Sequence, residues 1–166
     1  MIRVLILAVA LASLTACGLR PMYAGGTSGV VAASLRSIQV RDIPGKGGWM
    51  VRNALVSKLG SESSDGAMYR LEVELDDNIT GFGIRGDRAT TRERRTLRAR
   101  YRLVELSTGA VVLDATAGSD AGIDVVSSQY ATIAAEQTAL ERLSEVVADQ
   151  MVGRLALFVA RTPASP

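Results

Sequence analysis

Apolar and polar positions change period several times along the chain, and each change marks an element. Between Leu35 and Ile43, Ile38 and Val40 alternate with Gln39 and Arg41, which predicts a strand. Pro44-Gly45-Lys46-Gly47-Gly48 breaks it. From Trp49 to Leu59 apolar residues recur every four positions, at Val51, Leu55 and Leu59. That spacing predicts a helix, with Gly60 as its stop. Ser61 to Ala67 is a polar turn. Tyr69 to Asp76 alternates cleanly: Leu71, Val73 and Leu75 face one way, Glu72, Glu74 and Asp76 the other. Asp77 to Ala89, interrupted by glycine and asparagine, reads as a loop or a wide hairpin tip. In Thr90 to Leu106, Arg92, Arg94, Arg98, Arg100 and Arg102 share one parity, and Leu97, Ala99, Tyr101 and Leu103 the other. This is a long strand with an arginine stripe on its outer face. Ser107-Thr108-Gly109 turns into Ala110–Ala117, where Val111, Leu113 and Ala115 alternate, so the pair predicts a hairpin. Gly118 to Val126 reads as a loop or a ragged strand end. Ser127 or Ser128 can cap a helix from Gln129 to about Val159. Its apolar stripe is Ile133, Leu140, Leu143, Val147 and Met151, and Gly153 is placed to bend or end it.

The order is strand, helix, three strands, long helix. Three strands with short links favour an antiparallel arrangement. Two amphipathic helices then cover one face. The predicted fold class is α+β: a two-layer sandwich whose mostly antiparallel four-stranded sheet is covered on one face by two helices. The other face is charged, as an antiparallel sheet permits. A single domain spans 34–160, and 161–166 is a flexible tail.

The N-terminus follows a different rule. Met1-Ile2-Arg3 is a short basic region, and Val4 to Leu14 is apolar except for Ser13. A membrane-spanning helix needs about 20 apolar residues, so this run is the core of a signal peptide. It ends in Leu14-Thr15-Ala16-Cys17, and Cys17 is the only cysteine in the chain. Leu-x-small-Cys is the bacterial lipobox. Residues 1–16 are expected to be removed and Cys17 acylated on its sulfur and new amino group. Three acyl chains anchor stably where one does so marginally. Residues 17–33, with Pro21 and Gly25-Gly26, form the lipidated start and tether. Gly18 in place of Asp favours the outer membrane.

Composition removes whole classes of chemistry. The chain has 166 residues, 48% apolar, and no His. Without His there is no Ser-His-Asp triad, Cys-His dyad or His-ligated metal. One Cys excludes internal disulfides and cysteine-cluster metal sites. Glu72 and Glu74 lie beside arginines on an open face, whereas catalytic carboxylate pairs need a cleft that raises one pKa. No catalytic residue, metal or cofactor is expected, and the chain does not read as an enzyme. Gly81-x-Gly83-x-x-Gly86 matches a dinucleotide fingerprint as text, but a strand follows where a helix must open. The net charge of +2 does not by itself make a nucleic-acid binder.

The concentrated charge is informative. Residues 85–102 hold eight Arg and two acids. Arg forks suit phosphate and carboxylate, so the segment reads as an anion surface. It also reads as a cross-strand ladder in which Glu72, Glu74 and Asp76 neutralise the arginines opposite. Three acids cannot match five to eight Arg, and that surplus points to a ligand or a partner.

Several local sequences lie in a suggestive order. Cys17-Gly18-Leu19-Arg20-Pro21-Met22-Tyr23 opens the mature chain, and Arg52-Asn53-Ala54-Leu55 lies in the first helix. Ala89-Thr90-Thr91-Arg92 enters the arginine strand, and Tyr101-Arg102-Leu103 precedes Thr108-Gly109. Ser128-Gln129-Tyr130-Ala131 leads into the last helix. Together these resemble the lipopolysaccharide-assembly lipoprotein family LptE, in its alphaproteobacterial form. The resemblance covers nearly the whole mature chain, and Cys-Gly-x-Arg-Pro-x-Tyr is its most specific element. It implies a sheet covered on one side by two helices. It implies a non-enzymatic outer-membrane lipoprotein, lipid-anchored on the periplasmic side. Such a protein plugs and helps assemble the LptD β-barrel and assists lipopolysaccharide delivery to the cell surface. The implied partners are an LptD-type barrel and lipopolysaccharide, with no nucleic acid. A basic residue entering the third strand is implicated in lipid binding in that family, and Arg85 or Arg88 occupies that region here. The expected lipopolysaccharide contacts are Arg85, Arg88, Arg92, Arg94, Arg98, Arg100 and Arg102. Two other classes fit the same anchor and fold: an accessory lipoprotein of a periplasmic or inner-membrane transporter, and a structural lipoprotein without ligand.

Overall fold

The computed structural model describes residues 30–61, 66–84 and 90–162. The elements are α1 (Val30–Arg36), β1 (Ile38–Val40), α2 (Gly45–Leu59), β2 (Tyr69–Ile84), β3 (Thr90–Glu105), β4 (Val111–Asp124) and α3 (Gln129–Arg161). The four strands form one sheet in the order β1-β2-β3-β4. β1 runs parallel to β2, and the other neighbours are antiparallel, so the sheet is mixed. The fold is the expected two-layer α+β arrangement with one addition. α1 forms where the tether and the start of a strand were expected, and β1 is only three residues long.

The core follows the predicted parities. Leu71, Val73, Leu97, Ala99, Tyr101 and Leu103 are buried from the sheet, and Val51, Leu55 and Leu59 from α2. Leu140, Leu143, Val147, Met151 and Leu155 complete it from α3. Ile133 does not join them and is exposed, while Thr132 is buried in its place. Lys46 at the start of α2 hydrogen-bonds Gln137, so α3 runs beyond α2 at its N-terminal end.

Both caps of α3 and α2 were readable. Ser128 Oγ accepts from Ala131 N–H, and Gly60 closes α2 at φ 67°. Only glycine adopts that left-handed turn without strain. Gly153 does not end α3, which is continuous to Arg161. Three other breaks lie elsewhere than expected. α2 begins at Gly45, not at Trp49, and Gly47 and Gly48 are buried inside it. β2 runs on through Asp77–Ile84, and β4 through Gly118–Asp124, where a loop or ragged end was one reading. Strands β2, β3 and β4 therefore have 16, 16 and 14 residues. At about 3.3 Å per residue they make a blade about 50 Å long.

Candidate arginine surface

The even-numbered residues of β2, β3 and β4 share the sheet face opposite the helices. Register sets Arg102 between Glu72 and Asp114, Arg100 between Glu74 and Thr116, and Arg98 between Asp76 and Gly118. Farther out, Arg94 lies between Thr80 and Gly122, and Arg92 between Phe82 and Asp124. The face is thus striped, acid on β2, arginine on β3 and acid again on β4.

Most of the stripe is paired. Arg102 Nη2 lies 3.2 Å from Glu74 and 3.8 Å from Glu72. Arg100 donates to both oxygens of Asp114, at 3.3 and 2.9 Å. Arg98 reaches Asp120 at 3.2 Å, and Arg92 reaches Asp124 at 3.0 Å. The arginine surplus inferred from β2 alone is therefore corrected. Asp114, Asp120 and Asp124 come from β4, in stretches read partly as a loop, and the ladder they make is two-sided. Exposed pairs of this kind contribute little to stability, because water and salt screen them. Their value lies in fixing register and keeping a charged face soluble.

The carboxylates respond to these partners. The Arg100 guanidinium holds Asp114 below the usual carboxylate range. The Thr96 hydroxyl, and then Arg98, does the same for Asp120. A lowered folded pKa gives stability that is present above the ordinary Asp range, about pH 4, and lost as pH falls through the depressed values. The melting temperature is thus expected to fall on acidification below about pH 4. Because both groups are exposed, 1 M salt should flatten that slope through screening. Thermal melts at several pH values in low and high salt check it.

Arg94 differs from its neighbours. Its guanidinium lies over the Phe82 ring, 5.3 Å from the centroid, and among the described residues it makes no ion pair. Phe82 is itself exposed. Arg94, Phe82 and Arg92 form a cationic and aromatic end to the blade, beyond the paired arginines. Arg85, Arg88 and the lipidation residue Cys17 lie outside the described residues.

Arg95 was not singled out by sequence reasoning. Its odd parity turns it to the helix-covered face. There Nε and Nη2 grip Asp77 at 2.8 and 2.6 Å, and Nη1 donates to the Glu136 carbonyl at 2.9 Å. Its side chain is 12% exposed. The Asp77 carboxylate pushes its pKa still higher, so it is a permanent cation. The signal in the sequence was its place in the alternation, one step before Leu97. Arg95 fastens α3 to the blade and is not available to a ligand.

The geometry defines a class first: a small two-layer α+β domain with a long charged blade. A family model for LptE, lipopolysaccharide-assembly, matches residues 35–155. The chain belongs to the LptE lipopolysaccharide-assembly family. Among solved structures it is similar to a lipoprotein from Caulobacter crescentus, at 26% identity and TM-score 0.69. That match covers 82% of this chain and all of the other. Rare lipoprotein B from Shewanella oneidensis matches at 8% identity and TM-score 0.60, covering 76% of this chain and 97% of that one. A minor lipoprotein from Acinetobacter baumannii matches at 14% and 0.58, covering 79% and 98%. The last two show a shared fold. No curated protein sequence matches the chain.

Proposed function

We propose that this family member is an outer-membrane lipoprotein, attached through Cys17, that plugs an LptD-type β-barrel. In that position it assists assembly of the barrel and delivery of lipopolysaccharide to the cell surface. Membership of the lipopolysaccharide-assembly family over residues 35–155 carries the reading. The lipobox at Cys17 supports the anchor.

The anionic lipid contacts the blade through its arginines, chiefly at the far end. Arg94 has no carboxylate among the described residues to displace, and Arg92 has only the exposed Asp124. Arg85 and Arg88 stand in sequence between Ile84 and Thr90. Arg98, Arg100 and Arg102 are occupied by β4 and β2 carboxylates and contribute less.

The test uses tagged, membrane-extracted protein. Wild type is expected to recover a large β-barrel in equal amount, together with lipopolysaccharide. Arg92→Glu/Arg94→Glu should retain the barrel and fold normally but bind lipopolysaccharide about a hundredfold or more weakly, since two charge-assisted contacts of about 1.5–3 kcal/mol each are lost. Arg100→Gln should bind nearly as wild type. Recovery with transporter subunits and no barrel would sink the plug reading. Unchanged lipid binding by the double variant would remove the blade end from the site.

A further inference from the structure

The sheet has two long edges. On one side β1 covers only Tyr69–Leu71, so β2 from Glu72 to Ile84 is the edge there. At the other, β4 has 14 residues, and no described strand lies beyond it. Natural edges of that length are guarded by charged side chains, especially lysine, by proline, by bulges or by a covering element. β4 carries three aspartates but neither lysine nor proline.

One side chain shows what this edge can bind. Gln150 of α3 accepts from Gly118 N–H at 3.0 Å and donates to Gly118 C=O at 3.3 Å. A single amide thus makes both hydrogen bonds that a residue of an added strand would make. In an antiparallel ladder, residues bonded to the neighbour alternate with residues whose N–H and C=O point away. Gly118 points away from β3. By the same register Asp120, Gly122 and Asp124 do as well. Gln150 covers Gly118, and among the described residues no strand or side chain bonds the outward groups of the other three.

The charge pattern selects the occupant. Rows on the outer face alternate, acid on β2, arginine on β3, acid on β4. Asp114, Asp120 and Asp124 take their arginines from the β3 side, and their side chains remain 43%, 46% and 75% exposed. A strand laid along β4 sets its outward side chains beside these carboxylates, where cations continue the alternation and acids repel. Gly122 presents no obstacle, because a Cβ there would meet nothing within 4 Å.

We propose that the open edge of β4, from Gly118 to Asp124, is a strand-addition site for an extended segment of a protein partner with Lys or Arg at alternate positions. Gln150 is its guard, closing the edge at Gly118 until the incoming strand takes over those two hydrogen bonds. The proposal does not rest on lipid binding or on a barrel.

Amide hydrogen exchange on the full chain tests it. The probe is a peptide of alternating Thr and Lys, about ten residues long, enough to span Gly118–Asp124. Exchange at Asp120, Gly122 and Asp124 should slow about tenfold or more with the peptide. A peptide of alternating Thr and Glu should leave it unchanged. Gly122→Pro removes an outward N–H and no bond to β3, and should abolish the protection, whereas Gly122→Ala should keep it. In free Gln150→Ala, the Gly118 amide should exchange faster and then be slowed by the Thr-Lys peptide. No slowing in the wild type, equal slowing by the acidic peptide, or protection surviving Gly122→Pro would each overturn the proposal. The comparison of the two peptides on the wild-type chain stands whether or not the proline variant folds.

Discussion

Asp77→Ala is expected to destabilise the chain by about 2–3 kcal/mol, without any change in a ligand site. Removing one partner of a fully buried ion pair costs about 3–5 kcal/mol, because the other charge stays behind unpaired. Here the Asp77 side chain is 27% exposed, which lowers the figure. Arg95 is only 12% exposed and would keep a single bond, to the Glu136 carbonyl. For a chain of this size the change corresponds to a melting temperature about 5–10 °C lower. Urea unfolding followed by far-UV circular dichroism measures it. Asp77→Leu/Arg95→Met should recover most of the loss, because an apolar pair of similar volume is often as stable as the ion pair. A loss below about 0.5 kcal/mol in the single variant would mean that α3 does not depend on this grip. The effect should be concentrated in the first turns of α3. They extend beyond α2, they leave Ile133 exposed, and Arg95 is what ties Glu136 to the blade.

That residue also shows how far the sequence could be read. Alternation over Tyr69–Asp76 and Thr90–Leu106 placed the inner and outer faces correctly, because a strand has a strict period of two. The same rule put Arg95 on the inner face, but a charge among apolar residues reads as an interruption until its partner is known. Asp77 lies 18 residues away, in a stretch whose glycines and asparagine obscured the strand. Glycine and asparagine are depleted in strands on average, yet the long antiparallel pairing of β2 with β3 overrides that preference at Asn78 and Gly81. The same override hid Asp120 and Asp124 at the glycine-rich end of β4, and with them half of the ion-pair ladder. The arginine stripe was therefore legible from one strand, while its neutralisation depended on registers that local pattern does not carry.

Glycines 47 and 48 pose the converse problem, and substituting them separates two meanings of the same residue. Read as a break, both should tolerate alanine, since neither would need its conformational freedom inside a helix that started later. Read from the fold, they differ sharply. A Cβ on Gly48 would lie 2.5 Å from the Ile43 carbonyl oxygen and 2.7 Å from its carbon. These are backbone atoms of a buried residue and have no rotamer to change. Gly48→Ala is therefore expected to cost about 3 kcal/mol, at the top of the range for overpacking. At Gly47 the nearest atoms are methyl groups of Leu140 and Leu75 at 3.4 Å, an ordinary contact. Gly47→Ala should be close to neutral, with the helix preference of alanine offsetting a small adjustment of those leucines. Gly153 faces open space within a continuous helix, so Gly153→Ala should stabilise by about 0.5–1 kcal/mol. The three variants are compared by urea unfolding. The ordering Gly153→Ala above Gly47→Ala above Gly48→Ala follows only if α2 starts at Gly45 and presses directly on the strand exit at Ile43. If Gly48→Ala were as stable as Gly47→Ala, the close approach of α2 to Ile43 would be refuted. The helix would then begin where the four-residue repeat does, at Trp49.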